Sequence, residues 1–200
     1  MQAQLAARCA LALAAAMVAP LAASAAPGDT PSADATFESD DPTGCITTEV
    51  ALFVRGAIVD SGGSALEQAR VHLEVTVLNE CEDVAVLKAE GKTKLRNGEF
   101  HVSPDLRFAT LKTAVPMSVF GSKEKFYATV VLTWTSVEAA ISADVGTVPT
   151  ELGRFEKTGA PVRKILRLAE ASGTIADGTS NFTPEASTAA SISLARVKSR

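Results

Sequence analysis

The chain is expected to fold as an all-β protein. Short runs of alternating apolar and polar residues recur from residue 46 onward, and Gly, Pro, Asn and Asp turn signals separate them. No stretch holds a 3.6-residue apolar period over ten or more positions. Together these features predict an antiparallel β-sandwich, immunoglobulin-like in the broad architectural sense, of roughly 7–9 strands, with a closed β-barrel as the alternative. The Cys…Trp…Cys order of true immunoglobulin domains is missing, because Trp134 follows both Cys45 and Cys81. The likeness is therefore one of architecture and implies no family.

Residues 1–25 place one basic residue, Arg8, before an apolar stretch from Cys9 to about Ala19, and end in Ala23-Ser24-Ala25. Basic, apolar and A-x-A segments in that order form a signal peptide, removed after Ala25, and its Ala-rich composition is of bacterial type. The apolar run is interrupted by Pro20 and falls short of the roughly 20 residues that a membrane-spanning helix needs. The product is expected to be secreted or periplasmic, with no membrane insertion once the signal is gone.

Residues 26–44, APGDTPSADATFESDDPTG, contain Asp29, Asp34, Glu38, Asp40 and Asp41 with no Lys or Arg. Three prolines and a low apolar content give this segment too little surface to bury, and it is expected to be a disordered acidic leader. Removing residues 1–25 takes away Arg8 and no acid, so the net charge moves from −4 to −5. Basic residues concentrate only in the terminal RVKSR, which argues against a nucleic-acid partner. The remaining residues, 45–200, suit a single domain with a sizeable core.

Within that domain, TTEVALFVRGAIVD is β-branched and apolar, with Gly56 expected to mark a bulge or kink. Ser64 and Glu67 fit a capping box for one helical turn in the loop that follows. RVHLEVTVL is the clearest strand, with Val71, Leu73, Val75 and Val77 on one face and His72, Glu74 and Thr76 on the other. DVAVLKAEG and KTKLRNGEFHV follow, and Asn97-Gly98 predicts a two-residue hairpin of type I′. In AVPMSVFG, Pro116 confines the strand to an edge or a bulge. KFYATVVLTWTSV sets Phe126, Ala128, Val130, Leu132 and Trp134 on one face and is expected to be central. A loop from about 136 to 161, with a helical turn at ELGRFEK, leads to VRKILRLAEASGTI and ASTAASISLARV, which would close the fold.

Cys81 lies in TVLNECEDVAV, beside Glu80, Glu82 and Asp83. Carboxylates raise a thiol's pKa, whereas a nucleophilic cysteine needs cations or a helix N-terminus. Zinc held through cysteine calls for more soft ligands at short spacing, and the chain has only two histidines. In an oxidising compartment the expected state is a disulfide between Cys45 and Cys81. Cys45 precedes one strand and Cys81 follows the next, so antiparallel pairing would bring them together at the open end of a hairpin.

His72 beside Glu74, and His101 near Asp105, could act as bases only with a nucleophile and an orienting acid, which no motif marks. G-x-S-x-G, H-E-x-x-H and G-x-x-x-x-G-K-[ST] are all missing from the sequence. The acidic loops NECED, ESDDPTG and DGTSN lack the D-x-[DN]-x-[DN]-G order of a calcium loop and are expected to be solvated charge. Asn181-Phe-Thr is a glycosylation acceptor only in a eukaryotic route. No catalytic residue, metal or cofactor is expected. The leading functional expectation is an exported, non-catalytic binding or interaction module for a protein or surface ligand. The alternatives are a structural subunit of a surface assembly, using the AVPMSVF or ASTAASISLARV runs as strand edges, and an uncharacterised hydrolase.

Overall fold

The computed structural model describes residues 29–58, 67–145, 162–176, 181–182 and 187–197. The expected signal peptide, the loop around Ser64 and the ELGRFEK turn lie outside these residues. The described part is all β and antiparallel. Its strands are β1 (Thr30–Asp40), β2 (Ile46–Arg55), β3 (Arg70–Asn79), β4 (Val84–Lys94), β5 (Phe100–Val102), β6 (Phe108–Val119), β7 (Lys125–Ser136), β8 (Ile141–Val145), β9 (Val162–Ala176), β10 (Asn181–Phe182) and β11 (Ala189–Val197).

Hydrogen bonding runs β1-β2-β3-β4-β6-β7-β9-β11 and returns from β11 to β1. Among the eight long strands, sequence neighbours are sheet neighbours, so their connectivity is a meander. The architecture is that of a β-sandwich whose edges are stitched together. β5 flanks β6, while β8 and β10 lie against β9. Alternation along all eight long strands sends one residue in two into a single core, including Phe37, Leu52, Leu73, Leu111, Val130, Trp134 and Ile192. Trp134 is fully buried, and its Nε1–H donates to the Asp34 carbonyl across the core at 2.8 Å, so a large apolar ring enters without an orphaned donor.

The acidic leader expected at 26–44 is instead largely strand β1, and the domain extends at least to Asp29. Its composition is that of a disordered segment, but its order is not: Ala33, Ala35 and Phe37 point into the core, while Asp34, Glu38 and Asp40 alternate with them toward the outside. Averaging over the segment hides this period. β1 pairs with β11 from Thr30↔Ala195 to Thr36↔Ala189 and with β2 from Ser32↔Arg55 to Asp40↔Thr47. Its start is fastened by Arg196, whose Nε and Nη2 donate to the two carboxylate oxygens of buried Asp29 at 3.0 and 2.9 Å. Asp29 in turn raises the pKa of that guanidinium above its ordinary value.

Two local expectations are corrected. Asn97-Gly98 does not join a β4–β5 hairpin: only Gly98 takes a positive φ, +86°, and β5 pairs with β6 rather than β4. The Glu99 N–H donates to the Arg96 carbonyl at 3.2 Å, so Asn97 and Gly98 are still the two central residues of a β-turn, with one positive φ where type I′ needs two, and the Glu99 carboxylate accepts the Arg96 N–H at 2.6 Å. Gly56 marks a close approach rather than a bulge. Its N–H donates to the Pro31 carbonyl at 2.6 Å, and a Cβ there would lie 2.5 Å from the Pro31 ring.

The ring closes on a narrow seam. β4 meets β6 only through Ala89↔Val119, Glu90↔Ser118 and Gly91↔Met117. Gly91 permits this approach, since a Cβ would sit 2.6 Å from the Pro116 carbonyl. The Val119 N–H points to Glu124 on the β7 side, while Lys112 and Phe120 donate to Glu99 and Lys88 on the other flank. Alternation then aims the nitrogen of Pro116 into the stretch between the β4 and β5 ladders. The expected edge character of Pro116 is met there, where an N–H would find no ladder partner.

The β1–β2 turn is built on Asp41, whose Oδ1 accepts the Cys45 and Ile46 amides at 3.0 Å each, and whose Oδ2 accepts the Thr43 hydroxyl at 2.7 Å. The Ile46 amide first, then the Thr43 hydroxyl, hold this carboxyl below its ordinary 3.8.

Phe37→Ala should cost about 3–5 kcal/mol in chemical denaturation, the range for a buried aromatic, whereas a disordered leader would tolerate it without change. Asp41→Ala should destabilise the protein at pH 7. The folded pKa is depressed, so that contribution is full above about pH 4 and fades as pH falls through the lowered value. The stability gap between the native chain and the variant should therefore shrink between pH 7 and pH 2 in urea titrations.

Candidate functional site

The outward residues of β2, β3 and β4 stand in rows across the sheet, because β2–β3 and β3–β4 pair residue against residue. Arg55, Arg70 and Lys94 form one row. Phe53, His72 and Lys92 form the next, and Ala51, Glu74 and Glu90 the third. Neighbouring strands lie about 4.8 Å apart, so the first row aligns three cations over roughly 10 Å. Like charges directly opposite one another destabilise a sheet. Arg55 is compensated by Glu67, at 2.6 Å, while Arg70 and Lys94 form no ion pair among the described residues. Phe53 keeps an exposed ring face between the rows. Phe53, Arg55, Arg70, His72, Lys92 and Lys94 line an open groove of about 650 Å³.

The third row opposes two carboxylates, and the second row sets His72 and Lys92 beside them. The His72 Nε2 lies 3.2 Å from Glu74 Oε1 and 3.0 Å from Glu90 Oε1, and the Lys92 ammonium contacts Glu90. Lys92 first and His72 second hold the Glu90 carboxyl below its ordinary value. The three donor atoms of His72, Glu74 and Glu90 all lie within 4.8 Å of one another, so this trio could hold a metal ion.

A β-bulge assembles all three rows. At the β3–β4 turn Leu78 faces Ala85, but Val77 faces Leu87, which leaves Val86 as the extra residue. Without it the register would slip by one, setting Ala89 opposite Glu74 and turning Glu90 inward. With it, Ala89 is buried and Glu90 joins Glu74 on the outer face. The pairing of His72 with Glu74 is legible in the alternation of β3. The arrival of Glu90, Lys92 and Lys94 beside them is not, because no sequence signal marks the bulge.

The disulfide expected between Cys45 and Cys81 is present, with a Cα–Cα distance of 5.2 Å. It spans the open end of the β2–β3 hairpin, where Ile46 faces Asn79 and the Glu80 N–H donates to the Cys45 carbonyl at 2.8 Å. The acidic loops around it serve their own turns: Asp41 caps the β1–β2 turn, and the Asn79 side-chain oxygen accepts the Cys81 and Glu82 amides. Most of DGTSN lies outside the described residues.

His101 is exposed on β5, opposite Thr110. Asp105 accepts the Ser103 hydroxyl at 2.7 Å and the Arg107 amide at 3.1 Å, and the Ser103 bond foremost lowers its pKa. That carboxylate is committed to its own turn. The runs expected to offer strand edges are flanked: β11 lies between β9 and β1, and β6 between β7 and the β4–β5 flank. No helix among the described residues is long and apolar enough to cross a membrane.

Replacing both Cys45 and Cys81 by Ala should lower stability by about 4 kcal/mol, the chain-entropy value for a closed loop of this length. Denaturant unfolding of the double variant checks this, and an unchanged midpoint would show that the hairpin holds its end without the crosslink. Comparison of the chain with protein-family models, curated proteins and solved structures finds no match in any of the three.

Proposed function

We propose that the chain is an exported, non-catalytic binding module that takes an anionic ligand on the outer face of β2, β3 and β4. One observation carries this reading: the alignment of Arg55, Arg70 and Lys94 beside the exposed ring of Phe53. A sheet gains nothing from setting cations opposite one another, and an anion laid across the row would turn that repulsion into attraction. The Phe53 ring offers apolar contact to the body of the same ligand, as in many sites where a few charged groups orient a partner on an aromatic floor. The row sits on three successive strands, β3 hydrogen-bonded to β2 on one side and to β4 on the other, so its spacing is set by the backbone and little ordering entropy is lost on binding.

The exported chain is acidic overall, with a net charge of −5 once residues 1–25 and their one basic residue, Arg8, are removed from a chain of net charge −4. An anionic partner is therefore repelled elsewhere and steered to this face, and binding should weaken as salt screens the attraction. The disulfide supports the exported part of the reading, because such crosslinks persist in oxidising compartments. The ligand class best suited to a linear row of cations is a sulfated or carboxylated polysaccharide.

Binding to immobilised dextran sulfate should fall on the order of tenfold or more in the Arg70→Glu, Lys94→Glu double variant. The exposed charge reversal Lys123→Glu, in the β6–β7 turn, should leave it unchanged. Equal retention of all three proteins would sink the proposal.

A further inference from the structure

The same face carries a second arrangement whose chemistry differs from anion capture. We propose that His72, Glu74 and Glu90 form a binding site for a divalent ion of the zinc class. A tetrahedral zinc with bonds of about 2.0 Å keeps its donors roughly 3.3 Å apart. The His72 Nε2 already lies 3.2 Å from Glu74 Oε1 and 3.0 Å from Glu90 Oε1, so a metal could sit among them after side-chain rotation alone.

The placement of the three residues, the environment of the His72 nitrogen and the local charge point the same way. His72 and Glu74 are two residues apart on one face of β3, and Glu90 stands directly opposite Glu74, so all three ride on one hydrogen-bonded hairpin. The His72 Nε2 is closed off from solvent and makes no well-aligned hydrogen bond, although both carboxylates are at contact distance. A nitrogen lone pair directed at a shared ion would account for that crowding. Finally, Glu74 and Glu90 face each other as like charges, a pairing that a bridging cation stabilises.

One imidazole and two carboxylates favour zinc or a neighbouring transition ion over calcium, which prefers oxygen donors alone. Three protein ligands leave a fourth position for water or for an oxygen of an incoming ligand. Lys92 is the built-in competitor, because its ammonium contacts the Glu90 carboxylate that the metal would take. Metal binding must displace Lys92, so affinity is held below what the three ligands alone would reach.

That competition gives the inference a distinctive test. Titration of the full folded protein with Zn²⁺ against a chromophoric chelator should show one saturable site. His72→Ala and Glu90→Gln should each weaken it by at least about tenfold. Lys92→Gln should tighten it, an outcome that diffuse attraction of a cation to an acidic protein would also produce, but only alongside retention in the ligand variants. His101→Ala, at the other histidine, should have no effect. Circular dichroism of each variant checks that the sheet is intact, and Co²⁺ substitution supplies a second readout through the d–d absorption of a four-coordinate site. The inference is overturned if the native chain shows no saturable site, or if the folded His72→Ala variant binds Zn²⁺ as tightly as the native chain. It is independent of the polysaccharide reading: the Arg70→Glu, Lys94→Glu double variant keeps all three ligands and should still bind Zn²⁺, so either proposal can fail alone.

Discussion

The placement of β1 between β11 and β2 is the constraint on which the rest of the structure depends. A sheet with open edges leaves a row of unpaired N–H and C=O groups, and here the first strand covers the edges that the second and the last would otherwise expose. The strand brings three kinds of interaction at once. Its backbone completes both ladders, its alternate residues Ala33, Ala35 and Phe37 fill the core, and its Asp34 carbonyl receives the indole N–H of Trp134 from the far wall. Cross-strand bonds add to this on the other face, where Ser191 donates to Asp34 at 2.6 Å and the Ser32 and Ser193 hydroxyls meet at 2.8 Å. Taking β1 away would uncover the largest core side chains and two strand edges together.

The opposite side of the ring is held differently. Between β4 and β6 the ladder is short, Gly91 lets the two backbones close, and Pro116 stands where the strands part. One wall of the fold is thus joined by long ladders and another by a brief seam. β4 leaves β6 at this seam and continues beside β3 as far as Arg70↔Lys94. The residues that it carries past the seam, Lys92 and Lys94, are the ones that complete the cationic groove. The opening in the ladder and the charged face are two results of the same strand trajectory.

That face shows how a rigid sheet can hold groups that oppose one another. Arg55, Arg70 and Lys94 repel across three strands, and Glu74 and Glu90 repel across two. Part of this is relieved internally by Glu67 and Lys92. The core on the inner side of the same strands, with Val54, Val71 and Leu73 fully buried, supplies the stability that tolerates the remainder. Sites built this way keep their spacing because their backbone cannot relax, which separates them from charged loops of equal composition.

The sequence by itself determined the class of the fold and much of its local detail. Period-two alternation located β3 and β7 with their inward faces, because that period is a direct consequence of the pleat. The disulfide followed from two strands and the thiols beyond their ends. Pro116 announced a break in a ladder, because its missing N–H is a property of the residue alone. Composition misled at residues 26–44, where acidic residues on the outer face of a strand mask the apolar ones between them. Tertiary structure alone decided which strands close the ring and which side chains meet outside it. A single extra residue at Val86 turns Glu90 outward to face Glu74, and that choice depends on how β4 packs its other face rather than on any local preference.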